Sequence, residues 1–490
     1  MKLKTYQLLL AILLFALSLR LIFFTGTGSS DELDYYTFAN DVNKGLFKLQ
    51  INHFSFRIGL IYPVALIFSI FGINEFTANF LVLVFSLASI LLIFFLGKYF
   101  FNDKVGITAA FLLSFYPLDV FFSTRLLPDL PAAFFMGLSV LLFFYGEDNK
   151  KKQNLYYTLS GIALGLGYLI KEVTLLMGLF YLSYIIYKRK FKINYLLISI
   201  GLFAGILTMI IFSYYNVNEP FYQYKAHEGQ EIEYMRKFYT SYFTVEGVLK
   251  RLFLLLPYIL FTDLHYGFFF VFILIAISYC FIKKKREAYV PIIWIFVLII
   301  YLNFGTVSLK EYIPFPITIR FISIITIPSL LVLAYFLKEK PLKKLSSVII
   351  VFLLLSSLFF IYTLDAKNEI KNLKLAYLYL STKNNTKTIY ADERSSRVID
   401  YLFGFKKSDK IIKFNEYEYY DYKREDNNIK VLDLKNIKDS YIIVNYSMIK
   451  GLKYVYKDMK FPEEIFKPPN NWKVEKEIGS GDNKIIIYST

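Results

Sequence analysis

The sequence predicts a mainly α-helical, polytopic membrane protein: a bundle of about eleven transmembrane helices followed by a small, water-exposed C-terminal α/β domain. Three observations carry this. Hydrophobic residues make up 56% of the 490 positions, above the roughly 45–50% of a soluble domain. The excess lies almost entirely before Asp365, whereas the segment after it is rich in Lys, Asp and Asn. The net charge of +17 is gathered in short basic clusters between apolar stretches, as expected of the loops on the cytoplasmic side of a membrane protein. A nucleic-acid partner is therefore not expected, because the cations punctuate spans rather than forming one basic face.

A helix needs about 20 apolar residues to cross the hydrocarbon. The segments that approach this are 5–25, 75–98, 105–120, 129–146, 156–170, 173–187, 193–213, 266–282, 288–304, 316–337 and 346–364. Lys2 and Lys4 precede the first, which runs too long for a signal peptide and lacks a small-residue cleavage site. It reads as a retained span with a cytoplasmic N-terminus. A further apolar stretch, 57–72, is short and contains Pro63. If it spanned, the clusters Lys150–Lys152 and Lys188–Lys190 would fall outside. If it lies in the interface, those two and the clusters at 283–286 and 338–344 all fall inside. The interfacial reading satisfies all four. It places 26–74, 121–128, 214–265, 305–315 and the tail on the outer face.

The domain division expected from this is residues 1–364 for the membrane domain and 365–490 for an extracytoplasmic domain. In the tail, Thr388–Ala391, Lys430–Leu434, Tyr441–Tyr446 and Lys484–Tyr488 have the β-branched and aromatic enrichment of strands. Arg394–Phe403 reads as a helix capped by Asp392. The single Cys280 sits in an apolar segment and offers no disulfide. His53, His227 and His265 have no metal-ligand spacing, so no metal is expected. There is no Walker motif and no Gly-rich phosphate loop, so neither ATP coupling nor a bound cofactor is indicated.

Chemistry-bearing residues gather in the outer loops. Ser30-Asp31-Glu32-Leu33-Asp34-Tyr35-Tyr36 follows the first span. A carboxylate beside hydrocarbon is costly to keep charged. It either takes a proton from an acceptor or belongs to a helix start that Ser30 caps and whose dipole the acids favour. Arg57 opens the interfacial segment, either as a lipid-phosphate ligand or as a snorkelling anchor. Arg125 and Asp129 flank an outer span boundary. Lys171 interrupts an apolar hairpin, where it either pairs with Glu172 or meets an anion. Lys310 and Arg320 lie in and just beyond the 305–315 loop. Cations repeated on one face suggest a phosphate-bearing ligand at membrane depth.

These residues resemble a known pattern. Asp31-Glu32 with Tyr35-Tyr36, the run Arg57-Ile58-Gly59-Leu60-Ile61-Tyr62-Pro63, Phe71 through Phe76, Arg125 through Asp129 and Gly161 through Lys171 are similar to signatures of the GT-C superfamily of polytopic glycosyltransferases. The branch resembled is that of the protein mannosyltransferases and the lipid A aminoarabinose transferase, and the likeness runs over most of the chain. The resemblance implies transfer of a sugar from a polyprenyl-phosphate donor to a lipid, glycan or protein acceptor at the outer face of a cell membrane. It implies that Asp31, with Glu32 beside it, acts on the acceptor. It further implies that Arg57, Lys171 and Arg320 hold the donor phosphate and that Asp34, Tyr35, Arg125 and Asp129 border the substrates. Asp34 stands where the aminoarabinose branch has a basic residue. Two rival readings are a transporter or lipid flippase and a non-catalytic subunit of envelope-glycan assembly. The acids lie at the membrane edge and no internal repeat is evident, unlike most transporters.

Overall fold

The computed structural model describes residues 2–228, 232, 244–308, 310–339, 343–368, 370–383, 387–416, 430–455 and 460–490. Parts of the predicted outer loops 214–265 and 305–315 lie outside the described residues, as does Asn428 in the tail. The chain forms two compact units that interleave in sequence. One comprises residues 1–25, 48–63 and 79–366, the other 26–47, 64–78 and 367–490. A single cut at residue 364 therefore misassigns 26–47 and 64–78, which fold with the tail.

The helices run, in order, α1 (Lys2–Ile22), α2 (Asp31–Lys44), α3 (Ile58–Phe71), α4 (Glu75–Phe100), α5 (Asp103–Ser114), α6 (Pro117–Phe122), α7 (Asp129–Asp148), α8 (Gln153–Ile170), α9 (Met177–Lys188) and α10 (Leu196–Val217). Further helices include Phe269–Ile282, Tyr289–Phe304, Ser323–Lys338 and Lys343–Ala366. All eleven predicted spans contain helix, but only seven helices among the described residues are long and apolar enough to cross a bilayer. The other four are interrupted or short. Segment 105–120 breaks into α5 and α6 because Tyr116 precedes Pro117 and is held out of the helical region, at ψ 120°. The hairpin 156–187 breaks at Lys171, whose backbone is extended, before a 3₁₀ turn Glu172–Leu176 leads into α9. Helix α3 has 14 residues around Pro63, below the spanning length.

In the first unit, the helix Ser323–Lys338 occupies the centre, with every residue from Ser323 to Leu337 buried. It packs against α5, α7, Phe269–Ile282 and Tyr289–Phe304. Helices α8 and α10 approach backbone to backbone. A Cβ on Gly161 would fall on the Ile198 carbonyl oxygen, and one on Gly165 would lie 2.8 Å from that of Gly201. This pair of small-xxx-small faces, Gly161/Gly165 and Gly201/Gly205, is how helices associate where lipid removes the hydrophobic drive between them.

The basic loops meet at one end of this unit. Lys192 pairs with Glu147 at 2.8 Å, Asn194 bonds Asn154, and Lys285 pairs with Glu339 at 2.7 Å. Phe101 stacks on Tyr335, and Tyr99 bonds the Phe144 carbonyl. The loops near 98–104, 147–154, 188–195, 283–287 and 335–339 thus share one end, as the charge argument required.

An ionic network fixes the register of α1 against α4 to α6. Arg20 is fully buried. It donates to Asp119 at 2.5 Å, to Ser86 at 2.8 Å and to the Ser114 carbonyl at 3.0 Å, and Ser86 also donates to Asp119. An unmatched charge at such a depth would be very costly, and here it is fully paired.

The second unit is built on a five-stranded sheet of order β2-β1-β5-β7-β6. Strands β1 (Thr388–Ala391), β2 (Ile411–Lys413) and β5 (Ser440–Asn445) are parallel, while β7 (Ile485–Ser489) and β6 (Lys473–Ile478) continue antiparallel. Strands β3 (Asn415–Glu416) and β4 (Lys430–Val431) form a separate pair. Helix Glu393–Leu402 follows β1, with Asp392 accepting from the Ser395 amide as its cap. Strand β5 is buried along its whole length, as the centre of a covered sheet should be.

Candidate active site

The acidic run after α1 opens α2, with Asp31, Glu32 and Asp34 all in its first turn. That position favours their charges, because the exposed amides of a helix N-terminus carry partial positive charge. Ser30 makes no side-chain cap to the helix, and its hydroxyl donates instead to Asp31 at 3.0 Å. The capping reading therefore holds for the dipole and not for the serine. Glu32 and Tyr35 are buried, whereas Asp31 is partly exposed. Of the two predicted catalytic acids, Asp31 is the one a substrate can reach without rearrangement.

Asp34 is paired with Arg397 at 2.6 Å, from the helix after β1. Burial pushes its carboxyl above the usual range, and the Arg397 guanidinium pulls it back. Beside it Tyr36 stacks on Tyr401, ring centroids 4.2 Å apart. Glu75 accepts from the Thr27 amide at 3.0 Å and from Lys374 at 2.7 Å. The approach to α2 is thus tied to the tail, and no local sequence signal announced either Arg397 or Lys374 as partners.

The first unit contains the second group of predicted residues, and it brings four of them together. Lys171 Nζ lies 2.5 Å from Asp129 Oδ1, and Arg320 Nε lies 3.7 Å from Asp129 Oδ2. The Lys171 ammonium also sits over the Phe321 ring at 3.9 Å. Burial pushes the Lys171 pKa down to about 8, Asp129 opposes the shift, and the positive charges of Arg57 and Arg320 add to it. Arg57 is itself buried, with its guanidinium near Phe54. A snorkelling anchor would reach for solvent, so its burial favours the ligand reading. The pairing expected of Lys171 with Glu172 is not made. Glu172 accepts from Gln223 at 2.9 Å instead, because the 3₁₀ turn carries it away from its neighbour.

Local structure explains this convergence. The helix break at Lys171 frees its side chain from the α8 surface, and the Lys171 carbonyl then receives the Thr174 amide and hydroxyl, each at 3.3 Å. Gly59 brings the Arg57 segment against the end of α8, where a Cβ would meet Ile170 at 2.9 Å and the Leu169 backbone at 3.0 Å. Asp129 opens α7 after Pro128. Arg320 lies in the short 3₁₀ turn Ile319–Ile322 that leads into the central helix. Arg125 stands over the Phe121 ring at 4.3 Å, and Lys310 is exposed near Tyr224.

Lys171 and Arg320 thus meet one buried carboxylate, Asp129, and Arg57 lies close enough for its charge to act on Lys171. Such a set can receive an anion with two or more acceptor oxygens, to which Arg presents a planar fork and Lys a point charge. Among the described residues no three His, Cys, Asp or Glu side chains gather as a metal site.

Residues 58–215 match the dolichyl-phosphate-mannose-protein mannosyltransferase family. No curated protein matches the chain. Among solved structures, ArnT from Cupriavidus metallidurans bound to undecaprenyl phosphate is similar over 98% of this chain and 98% of its own, at 12% identity and TM-score 0.59. Its apo state gives 13% identity, 98% and 97% coverage, and the same TM-score. The archaeal oligosaccharyltransferase AglB from Archaeoglobus fulgidus, in complex with an inhibitory peptide and a dolichol-phosphate, is similar over 92% of this chain and 70% of its own. It is 14% identical, with TM-score 0.55. The chain therefore shares the fold of these structures, and its segment 58–215 matches the dolichyl-phosphate-mannose-protein mannosyltransferase family.

Proposed function

We propose that the protein is a membrane glycosyltransferase that moves a sugar from a polyprenyl-phosphate-linked donor to an acceptor at the outer face of the membrane. The observation that carries this is the gathering of Lys171 and Arg320 at Asp129 with the Arg57 charge close by, in a chain whose fold is shared with an ArnT structure holding undecaprenyl phosphate. Arg57, Lys171 and Arg320 take the donor phosphate. Asp31 takes the proton from the acceptor, with Glu32 supporting the same helix start. The displacement is single and inverting: the acceptor oxygen or nitrogen attacks the anomeric carbon, its proton passes to Asp31, and polyprenyl phosphate leaves. The leaving group is already stabilised as an anion, so fixed positive charge at the phosphate is the main electrostatic lever. The N-terminus and the basic-loop end lie in the cytoplasm, and the tail outside, on the charge rule.

The experiment is turnover. Purified protein reconstituted in sealed vesicles is given membrane-extracted polyprenyl-phosphate sugars labelled in the sugar, with membrane-extracted lipids, glycans and peptides as acceptors. Both release of the lipid phosphate and the sidedness of the labelled lipid are followed. The reading expects release in the parent and a fall of about two orders of magnitude in Asp31→Asn, the usual loss for an acid–base group. Sugar-lipid that crosses the membrane intact would favour a flippase. Parent-like turnover in Asp31→Asn would remove Asp31 from the reaction.

A further inference from the structure

The end of the first unit that carries the basic loops holds an apolar cavity of about 440 Å³, none of whose lining residues is assigned a role above. Its walls come from the last turns of α9 (Ser183, Ile186, Tyr187), from Phe281 near the end of Phe269–Ile282, and from Tyr289 and Phe296 of the following helix. Both helices that end there run directly into cations. Lys188 ends α9 and Arg189 and Lys190 follow it, and Lys283, Lys284 and Arg286 follow Phe281, all of them exposed.

Two of these cations occupy backbone positions that favour other residues. Arg189 and Lys284 have φ of 51° and 52°, in the left-handed region where helices usually end on glycine. A β-carbon is strained there, so the chain keeps a charge at a conformational cost. Complementing the helix dipole would not need three cations on each side. The acids nearby are already engaged: Glu339 with Lys285 at 2.7 Å, Glu147 with Lys192 at 2.8 Å, and Glu287 with the Tyr335 hydroxyl at 2.5 Å. The exposed charge at the mouth is therefore strongly positive, and the interior behind it is apolar.

We infer that this cavity is a specific site for an anionic phospholipid, with one acyl chain against Phe281, Tyr289 and Phe296 and the headgroup phosphate between the two basic segments. An apolar slot with cations only at its membrane-surface rim matches the amphipathic shape of such a lipid. A soluble anion would leave the slot empty, and a zwitterionic lipid would gain little from the rim.

The chain has two tryptophans. Trp294 is buried in the same helix as Tyr289 and Phe296, against Phe180, and Trp472 lies in the tail. Full-length Trp472→Phe protein is reconstituted in phosphatidylcholine vesicles. Phosphatidylglycerol or phosphatidylcholine with brominated acyl chains is then titrated in, and Trp294 quenching is read. The expected result is half-maximal quenching by the anionic lipid at a mole fraction about tenfold lower than by the zwitterionic one. That preference should fall to near one in Lys188→Gln/Lys190→Gln/Lys283→Gln/Lys284→Gln and persist when the same four become Arg. Equal quenching by both lipids, or a preference unchanged in the Gln variant, would overturn the site. So would absence of quenching by either lipid, the result for a slot filled by another helix or a second copy of the chain.

Discussion

Because Lys171 titrates near neutrality, donor binding should depend on pH in a way that isolates this one residue. Its ammonium is held down to about 8 by burial, from an unperturbed 10.5. The lysine is thus mostly charged at pH 7 and mostly neutral at pH 9. A phosphate needs the charged form, so affinity is nearly complete at about pH 7 and below and is lost as pH rises through about 8. At pH 9, about one unit above, roughly one molecule in eleven carries the proton, so the apparent dissociation constant should rise about tenfold, or about 1.4 kcal/mol. The ligand adds little to the slope over this range: the second ionisation of a phosphomonoester is centred near pH 6 and is about nine-tenths complete at pH 7. The assay is calorimetric titration of the protein in nanodiscs with a polyprenyl phosphate at half-unit steps from pH 7 to 9.5. Lys171→Arg should bind with a flat profile across this range, since guanidinium does not titrate there. Lys171→Met should bind more weakly and also flatly. A parent profile with no slope, or the same slope in Lys171→Arg, would refute the assignment of Lys171 to the phosphate.

Two further outcomes test the frame that holds these residues. Gly161→Ala should destabilise the protein by about 3 kcal/mol, the upper end for overpacking, because the new methyl meets backbone and not a movable side chain; thermal unfolding in one detergent measures it, and a parent-like midpoint would contradict the backbone contact of α8 with α10. With Cys280 replaced, single cysteines at the exposed positions Lys151 and Lys473 should react with an impermeant thiol reagent from opposite sides of sealed vesicles, and labelling of both from one side would overturn the orientation.

Much of the architecture was legible in the sequence because it rests on local composition. The apolar runs gave the spans, the spacing of basic loops gave their common end, and β-branched runs such as Thr388–Ala391 and Tyr441–Tyr446 gave strands of the tail sheet. Helix breaks were less visible: Pro117 signals one, but the extended backbone at Lys171 follows from the packing of Gly167 against Phe135 and Thr174. Long-range pairings were out of reach. Arg397 meets Asp34 across 363 positions, and nothing local marks that choice, so the membership of 26–47 in the tail unit could not be read. Arg20 was readable in principle, since a charge inside an apolar run demands a partner, yet the identity of that partner, Asp119, required the fold. At the site, the cations Arg57, Lys171 and Arg320 stood out as charges at span boundaries. The role of Asp129 as a shared partner of Lys171 and Arg320 emerged only when separate segments were brought together.

The central claim is that this cationic group holds a lipid phosphate, and Arg57 tests it most directly. An interface anchor needs only positive charge near the headgroups, and Lys would serve as well as Arg. A phosphate ligand uses the planar fork, which Lys does not reproduce. The measurement is the dissociation constant for polyprenyl phosphate of the parent, Arg57→Lys and Arg57→Ala, each purified in the same detergent. The account predicts binding weakened by about tenfold in Arg57→Lys and further in Arg57→Ala, in keeping with about 1.5–3 kcal/mol for a charge-assisted contact. Parent-like constants in both variants would contradict it.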